Sequence, residues 1–280
     1  MKPLFLLTDF GLSDSFVGIM KAAICRVNPA IVIHDLTHGI PPQNLQAGAL
    51  ALLDAYPWLP DSCVVCCVVD PGVGTARTSV VLRLGEREFI APNNGLLYPL
   101  YQSALNAGEQ PHLYQLNPTT PPPSATFHGR DIYAPAAAQL AHGNRAALHT
   151  TPLPPAGFVP YAFPAPKFTV HPHTHQPGAE VQVLAFDQYG NARLNLSKST
   201  QQLSTAPTPQ HQWALYAGAR DAPLCLAQGV HTTYANAPIG QAILYWNSTG
   251  WLELAVNQGS ARTAFALQQG TELFLQFSGE

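Results

Sequence analysis

Charged side chains are scarce in this chain of 280 residues: 13 Lys and Arg and 16 Asp and Glu leave a formal net charge of −3. So few cations give no electrostatic reason to bind nucleic acid or an anionic membrane, and we expect neither partner. Apolar runs of the ~20 residues that cross a bilayer are missing. Residues 1–11 also lack the layout of a secretory signal, so the expected protein is soluble and cytoplasmic.

Cysteine is rare as well, and its five residues are an odd number that argues against a disulfide framework. Cys63 and Cys66 have the spacing of a redox or metal-binding pair. They lie, however, in an unbroken apolar run, residues 63–69, which is typical of a central strand. We therefore interpret these cysteines as small hydrophobic side chains of the core.

No metal-ligand pattern is present either. His171, His173 and His175 alternate, but a proline separates the first two and no cysteine or carboxylate stands close by. We interpret them as structural or solvated histidines. The sequence predicts no metal and no cofactor, and a metal-dependent hydrolase has no ligand spacing to support it.

Phosphate-binding motifs are absent: no Gly-x-Gly-x-x-Gly follows the first predicted strand, and no Gly-x-x-x-x-Gly-Lys occurs. The polar residues after the predicted strands are mainly acidic, namely Asp9, Asp35 and Asp70. In open α/β sheets ligands bind beyond the carboxyl ends of the strands. Carboxylates there suit a ligand with hydroxyls and a positive charge, although each aspartate alone is equally suited to a helix cap or a turn.

Strand and helix patterns alternate in the first half of the chain, which predicts an α/β domain with a mostly parallel sheet covered by helices over residues 1–155. The proline-rich residues 156–177 are interpreted as a linker. Residues 178–280 show short strand patterns separated by Gly, Asn and Ser, which predicts a smaller all-β domain, a barrel or a sandwich. The predicted strands cover 3–8, 30–34, 63–69, 181–186, 242–245, 251–256 and 272–277, and the predicted helices cover 16–27, 45–56 and 132–141.

Six short motifs follow one another along nearly the whole chain. They are Thr8-Asp9-Phe10-Gly11, Asp35-x-Thr37-His38, Val69-Asp70-Pro71-Gly72-Val73-Gly74, Ala91-Pro92-Asn93-Asn94-Gly95, Thr126-Phe127-His128-Gly129-Arg130-Asp131 and Asp187-x-x-Gly190-Asn191. Together they resemble the S-adenosylmethionine (SAM) hydroxide adenosyltransferase family, DUF62, which is related to the fluorinase and chlorinase enzymes. The resemblance implies an enzyme that hydrolyses SAM to adenosine and methionine.

The hydrolytic members of this family resemble one another in a catalytic set that Asp70, Arg77 and His128 match here. The fluorinase has an aromatic residue in place of Asp70 and a long glycine-rich insertion before the segment that matches Ala91. This chain has neither feature, so water rather than halide is the expected nucleophile. An Asp–Arg pair near a turn is otherwise often a surface ion pair, and a lone histidine is usually structural.

A mechanism follows from the ligand. A sulfonium leaves as a neutral thioether without an acid, so the difficult step is to present an oxygen nucleophile in line with C5′ of the ribose. Our hypothesis is that Arg77 lowers the pKa of a bound water. His128 would orient that water or accept its proton, and Asp70 would hold the histidine or the arginine in place.

The resemblance also implies ligand contacts and an assembly. Asp9 would accept the ribose hydroxyls, Asp14 and Asp187 would hold the methionine ammonium, Ser248 would lie near the carboxylate, and Asn191 would bind the adenine edge with backbone near Ala261. Alone, the segment 187–191 would be interpreted as a plain turn. Gln43 stands where the halogenating relatives place an aromatic residue over the ribose. The implied assembly is a homotrimer in which the site lies between the N-domain of one subunit and the C-domain of its neighbour.

Two other functions remain open at this stage. A SAM-dependent halogenase would need the missing insertion and an aromatic residue at position 70. A non-catalytic sensor or store of SAM or adenosine would keep the binding residues and lose turnover. The presence of Asp70, Arg77 and His128 argues against this second alternative.

Overall fold

The computed structural model describes residues 1–118, 121–200, 212–217, 222–228 and 230–278. It divides into two compact units, Met1–Ala162 and Phe163–Glu280. The division falls inside the segment 156–177 that was predicted as a linker. Within the described ranges, no helix has both the length and the apolar character needed to span a membrane.

The first unit is built on a seven-stranded mixed sheet flanked by helices, the predicted α/β class. Its strands are β1 Leu4–Thr8, β2 Ile33–Thr37, β3 Val64–Val68, β4 Ser79–Leu84, β5 Arg87–Pro92, β6 His112–Leu116 and β7 Thr150–Pro152. Its helices are α1 Phe16–Val27, α2 Leu45–Ala55, α3 Tyr98–Asn106 and α4 Ala134–His142. The strand order is β2-β1-β3-β5-β4-β6-β7. The pairs β2–β1, β1–β3 and β3–β5 are parallel, and the other three pairs are antiparallel.

The core of this unit follows from the apolar patterns of its elements. All five residues of β3 are buried, as expected for a strand with both faces covered. In α1 the buried residues Val17, Met20 and Ile24 recur at helical spacing and form one apolar face. This face packs toward α4, whose buried alanines allow close approach.

One predicted strand is displaced. Residues 30–34 were expected to form it, whereas β2 begins at Ile33. The turn that ends α1 occupies the preceding residues, because Asn28 accepts hydrogen bonds from the backbone N–H groups of Ala30 (2.9 Å) and Ile31 (3.3 Å). Asp35 therefore lies inside β2, rather than beyond the end of the strand.

The interpretation of the cysteines as core side chains is confirmed. All five are free, and Cys63, Cys66 and Cys67 are buried in and beside β3. Burial raises the pKa of the Cys63 thiol to about 11 and raises that of Cys66 further. These thiols are accordingly protonated and unreactive near neutral pH.

The second unit is an antiparallel eight-stranded sheet with strand order β12-β11-β15-β9-β10-β14-β13, and β8 also pairs with β9. Strands β12 and β13, at the two ends of this order, lie against each other, so the sheet curls into a nearly closed barrel around an apolar core. Its elements are β8 Lys167–Val170, β9 Pro177–Phe186, β10 Ala192–Ser197, β11 Gln212–Ala217, β12 Cys225–Gln228, β13 Ala242–Trp246, β14 Trp251–Val256, α5 Ala261–Ala264 and β15 Glu272–Ser278.

Candidate active site

Three predicted site residues of the first unit, two catalytic and one substrate-binding, meet at the carboxyl ends of two neighbouring strands. Because Thr8 of β1 pairs in parallel with Val68 of β3, Asp9 and Asp70 emerge at the same edge of the sheet. His128 approaches this edge from the residue before a π-helical turn, Gly129–Tyr133, that leads into α4. Asp9, Asp70 and His128 line one cavity of about 270 Å³.

Asp70 and Arg77 form a bidentate ion pair. The Nε–H of Arg77 donates to Asp70 Oδ1 at 2.6 Å, and its Nη2–H donates to Oδ2. The two side chains are 5% and 11% exposed, respectively. The alternative of a surface ion pair is therefore wrong for these residues.

The remaining hydrogens of the Arg77 guanidinium are also engaged. Its Nη1 donates to the hydroxyl oxygen of Tyr133 at 2.7 Å and to the carbonyl oxygen of Thr78 at 3.4 Å. Its Nη2 donates to Nδ1 of His128 at 3.3 Å. The Tyr133 hydroxyl also forms a hydrogen bond with Ser79 Oγ, 3.0 Å away. A guanidinium has five N–H donors, and here each of them has an acceptor.

Tyr133 and Ser79 are site residues that sequence reasoning missed. Tyr133 is fully buried, which raises the pKa of its hydroxyl to about 12. It lies at the end of the π-helical turn that begins after His128. In the sequence, the only signal of a role for Tyr133 is that it lies close after His128, a residue of one of the motifs.

The protonation of His128 follows from its partner. A guanidinium donates hydrogen bonds and accepts none, so Nδ1 of His128 accepts and the neutral ring bears its proton on Nε2. Burial lowers the pKa of His128, and the charge of Arg77 lowers it further, against the opposing effects of Asp70 and Asp131. The histidine is therefore neutral over a wider pH range than a free imidazole.

Asp9 is held by the backbone of Gln43. The N–H of Gln43 donates to Asp9 Oδ2 at 2.7 Å, from a residue with the left-handed φ of 65°. Burial raises the pKa of Asp9, the charge of Asp70 adds to this, and the bond from Gln43 opposes it. The sequence singled out the side chain of Gln43, whereas its backbone makes this contact.

An aromatic wall lines part of the cavity. Phe10, Phe16 and Phe127 contact one another edge to face, with ring centroids 5.3 to 6.0 Å apart. All three also line the cavity. A Cβ atom at Gly129 would meet the Phe10 ring at 3.2 Å, so glycine allows this close packing. An apolar wall lowers the local dielectric and strengthens the polar interactions beside it.

A chain of polar side chains lies behind Asp9. Lys21 donates to Asp35 (2.7 Å), and Asp35 accepts from Nε2 of His38 (3.0 Å). Nδ1 of His38 is 2.8 Å from Thr8 Oγ1, which accepts from the N–H of Phe10 at 3.2 Å. Asp35 and His38, two residues of the sequence motifs, thus support the turn that presents Asp9 and do not line the cavity.

In the second unit, Asp187 organises a turn after β9. Its Oδ1 accepts from the backbone N–H groups of Tyr189 and Asn191, each at 2.9 Å. Its Oδ2 accepts from Nδ2 of Asn191 at 2.7 Å. The carbonyl oxygen of Gly190 accepts from the N–H of Arg262 in α5. The turn of residues 187–191 is therefore joined to the helix that begins at Ala261.

Asn191 also leads into a polar network that runs from the half-exposed Tyr234 to buried side chains. Its Nδ2 donates to the Tyr234 hydroxyl at 3.2 Å, so both amide hydrogens are engaged and Oδ1 remains an acceptor. The Tyr234 and Tyr245 hydroxyls are 2.7 Å apart, and Tyr245 donates to the buried Glu253. Sequence reasoning did not predict the contribution of the two tyrosines.

The remaining predicted ligand residues are Asp14, Ser248 and Ala261. Asp14 is in the exposed turn before α1 and does not line the 270 Å³ cavity. Ser248 is exposed in the turn between β13 and β14, and Ala261 is buried at the start of α5. Among residues 1–118, 121–200, 212–217, 222–228 and 230–278, no three His, Cys, Asp or Glu side chains form a metal-binding group.

Family models and known proteins match both units of the chain. The family models for the SAM hydroxide adenosyltransferase N-terminal and C-terminal domains match residues 4–149 and 181–274. The (R)-S-adenosyl-L-methionine hydrolase of Thermus thermophilus is 39% identical over 96% of this chain and 98% of that protein. The protein of the same name from Salinispora arenicola is 34% identical over 95% of this chain and 94% of that protein. The crystal structure of an uncharacterized conserved protein from Thermotoga maritima superimposes with a TM-score of 0.79 at 28% identity, covering 97% of this chain and 99% of that one. This chain belongs to the SAM hydroxide adenosyltransferase family.

Proposed function

We propose that this chain hydrolyses SAM to adenosine and methionine. The observation that carries the proposal is the buried cluster of Asp70, Arg77 and His128 beside Asp9 at one cavity. The hydrolases that it resembles are named for the R form of SAM, so that epimer is the proposed substrate.

The reaction joins the oxygen of water to C5′ of the ribose as the C5′–S bond breaks. The electron pair of that bond passes to sulfur, and methionine leaves as a neutral thioether. The attacking water loses one proton, so the balance is SAM and water to adenosine, methionine and one proton. Asp9 would hold the ribose hydroxyls while the aromatic wall of Phe10, Phe16 and Phe127 excludes bulk water.

Water rather than halide is favoured by the hairpin of β4 and β5. Leu84 pairs with Arg87, so only Gly85 and Glu86 form the turn between the two strands. No insertion precedes Ala91 of β5, and a carboxylate stands at position 70. An anionic side chain in the wall of the cavity disfavours a bound halide.

The ligand contacts in the second unit remain part of the proposal. Asn191 Oδ1 is free to accept from the exocyclic amine of adenine, because both of its amide hydrogens are engaged. Oδ2 of Asp187 accepts one hydrogen bond and retains accepting capacity for the methionine ammonium. We assign Asp14 to the same ammonium, Ser248 to the carboxylate and the backbone near Ala261 to the adenine, in keeping with the family resemblance.

The proposed assembly is a homotrimer with sites at subunit interfaces. It is supported by the family resemblance and by the division of the proposed ligand residues between two compact units. Light scattering after size exclusion would give three times the 30.0 kDa chain mass. We also propose a cytoplasmic location, which is supported by five free cysteines and would be measured by cell fractionation.

Purified protein incubated with SAM in halide-free buffer containing chelator is the direct test. Chromatography would detect adenosine and methionine in equal amounts, and both would fall sharply in His128→Ala. If SAM binds but no adenosine forms, the protein is a sensor or a store. A halogenated nucleoside on addition of chloride or fluoride would make it a halogenase.

A further inference from the structure

The hydrogen bonds of Arg77 leave it no donor for the nucleophile. Nε, Nη1 and Nη2 together donate to Asp70, Thr78, Tyr133 and His128. Arg77 is also missing from the residues that line the cavity, whereas Asp70 and His128 are among them. The arginine therefore stands behind the two residues that face the ligand space. The expectation that Arg77 itself acts on a bound water does not fit this geometry.

We propose that Arg77 and Tyr133 are positioning residues, and that His128 contacts the attacking water as a hydrogen-bond donor through Nε2–H. This inference rests on the proposed hydrolysis of SAM. Nδ1 of His128 is occupied by the Arg77 donor, and Nε2 has no hydrogen-bond partner in the described part of the chain. The ring therefore presents one N–H to the cavity and has no free lone pair there.

This assignment fixes the path of the proton. As the O–C5′ bond forms, the water becomes a protonated alcohol, which is a far stronger acid than any carboxylic acid. Asp70 lines the cavity, and its oxygens retain accepting capacity beside the two bonds from Arg77. The proton passes to Asp70 and then to solvent, while His128 keeps its own proton and holds the water in line with C5′.

Tyr133 completes the arrangement from the buried side. Its hydroxyl accepts a hydrogen bond from Arg77 at 2.7 Å and forms another with Ser79 Oγ. These two hydrogen bonds fix the plane of the guanidinium. That plane in turn sets which nitrogen of His128 is protonated. The hydroxyl of Tyr133 lies on a fully buried ring and does not line the cavity.

The tautomer can be measured without any reaction. Long-range ¹H–¹⁵N correlation spectra of the full protein labelled with ¹⁵N-histidine would be recorded near pH 7.5, and the signals of residue 128 identified by their loss in His128→Gln. We expect a neutral ring protonated on Nε2. A ring protonated on Nδ1 would overturn the proposal, whether or not the protein hydrolyses SAM.

Two kinetic comparisons separate a donor from a base. Glutamine at position 128 keeps an N–H group that can position the water but cannot accept a proton, so His128→Gln should retain kcat within about tenfold. His128→Ala should lose on the order of 10²-fold, because the water is no longer held in line with C5′. If the two variants are equally impaired while the wild type hydrolyses SAM, the donor role is wrong and the proposed function stands.

Tyr133→Phe tests the positioning role, since it removes one oxygen and keeps the ring. We expect kcat to fall about tenfold at an unchanged KM, with the His128 signals shifting toward a mixture of tautomers. Circular dichroism would establish that the variant is folded. An unchanged kcat and an unchanged tautomer in a folded Tyr133→Phe would show that the hydroxyl has no such role.

Discussion

The backbone N–H of Gln43 donates a hydrogen bond to the carboxylate of Asp9 at 2.7 Å. The amide oxygen of an asparagine at position 9 would accept the same hydrogen bond. Burial nevertheless raises the pKa of Asp9 above its ordinary value. The ionised carboxylate therefore costs stability, and the cost appears as the pH rises through the folded-state pKa.

Asp9→Asn should consequently stabilise the protein while weakening its ligand. At pH 7 we expect a melting temperature higher by on the order of 2 °C, because the amide has no charge to desolvate. The difference should shrink as the pH falls toward the ordinary aspartate pKa of about 3.9, because the wild-type carboxyl is progressively protonated. SAM affinity by calorimetry should fall at the same time, since an amide is a weaker acceptor for two hydroxyls. A variant less stable than the wild type at pH 7 would contradict this account.

Thr8→Val tests the polar chain behind Asp9. The change removes the oxygen that joins His38 to the N–H of Phe10, and a buried polar group left unpaired costs about 1–3 kcal/mol. Thr8→Ser is the matched control, because it keeps the hydroxyl and loses one methyl group at about 0.8 kcal/mol. Urea unfolding should show both losses. Only Thr8→Val should raise KM for SAM, and equal KM values would mean that the chain does not position Asp9.

Gly190→Ala should disrupt the turn that Asp187 organises. The residue has a φ of 81°, and an added Cβ would lie 2.9 Å from the Cβ of Ser260. Gly250 has a similar φ of 85° with no atom within 4 Å of an added Cβ, so Gly250→Ala incurs only the backbone cost of about 1–2 kcal/mol.

Thermal melts of the two alanine variants should therefore differ, with Gly190→Ala the less stable. Gly190→Ala should also lose SAM affinity, and adding Ser260→Gly should restore part of the stability by removing the clash. Equal melting temperatures for the two single variants would show that Ser260 moves aside without cost.

His171 is expected to make stability depend on pH. It is almost fully buried, with its ring 4.7 Å from that of Tyr216 and 4.8 Å from that of Phe274. Its Nδ1 accepts from the backbone N–H groups of His173 and Thr174, while its Nε2 has no hydrogen-bond partner within the described ranges. Burial lowers the pKa of His171, and the nearby His173 lowers it further.

The folded state thus binds this proton more weakly than the unfolded state does, and stability should fall as the pH drops below about 6.5. His171→Asn keeps an acceptor for the two N–H groups and removes the titration, so its unfolding free energy should depend less on pH between 7 and 5. His175→Asn is the control at an exposed position. Any contribution of His128 to the pH dependence is common to both variants. If the unfolding free energies of the two variants depend on pH equally, His171 is not the source of the pH dependence.

Helical or strand periodicity was sufficient to predict an element where a single apolar pattern dominates its sequence. Helix α1 occupies the predicted residues 16–27, and the cysteine-rich run forms β3, because each buries a continuous apolar face or segment. Short strands that pair antiparallel, such as β6 and β7, carry no comparable signal. Their conformation depends on neighbours that the local sequence does not specify.

By itself the sequence determined the α/β and all-β composition, the motifs of the family and the candidates Asp9, Asp70, Arg77 and His128. Only the tertiary structure decided how they are connected. It placed the Tyr133 hydroxyl on a guanidinium 56 positions earlier and Gln43 on Asp9 across 34 positions. Donor and acceptor directions between such distant residues are set by packing and not by local pattern. For that reason the tautomer of His128, and with it the expected division between catalytic and positioning residues, emerges only from the folded chain.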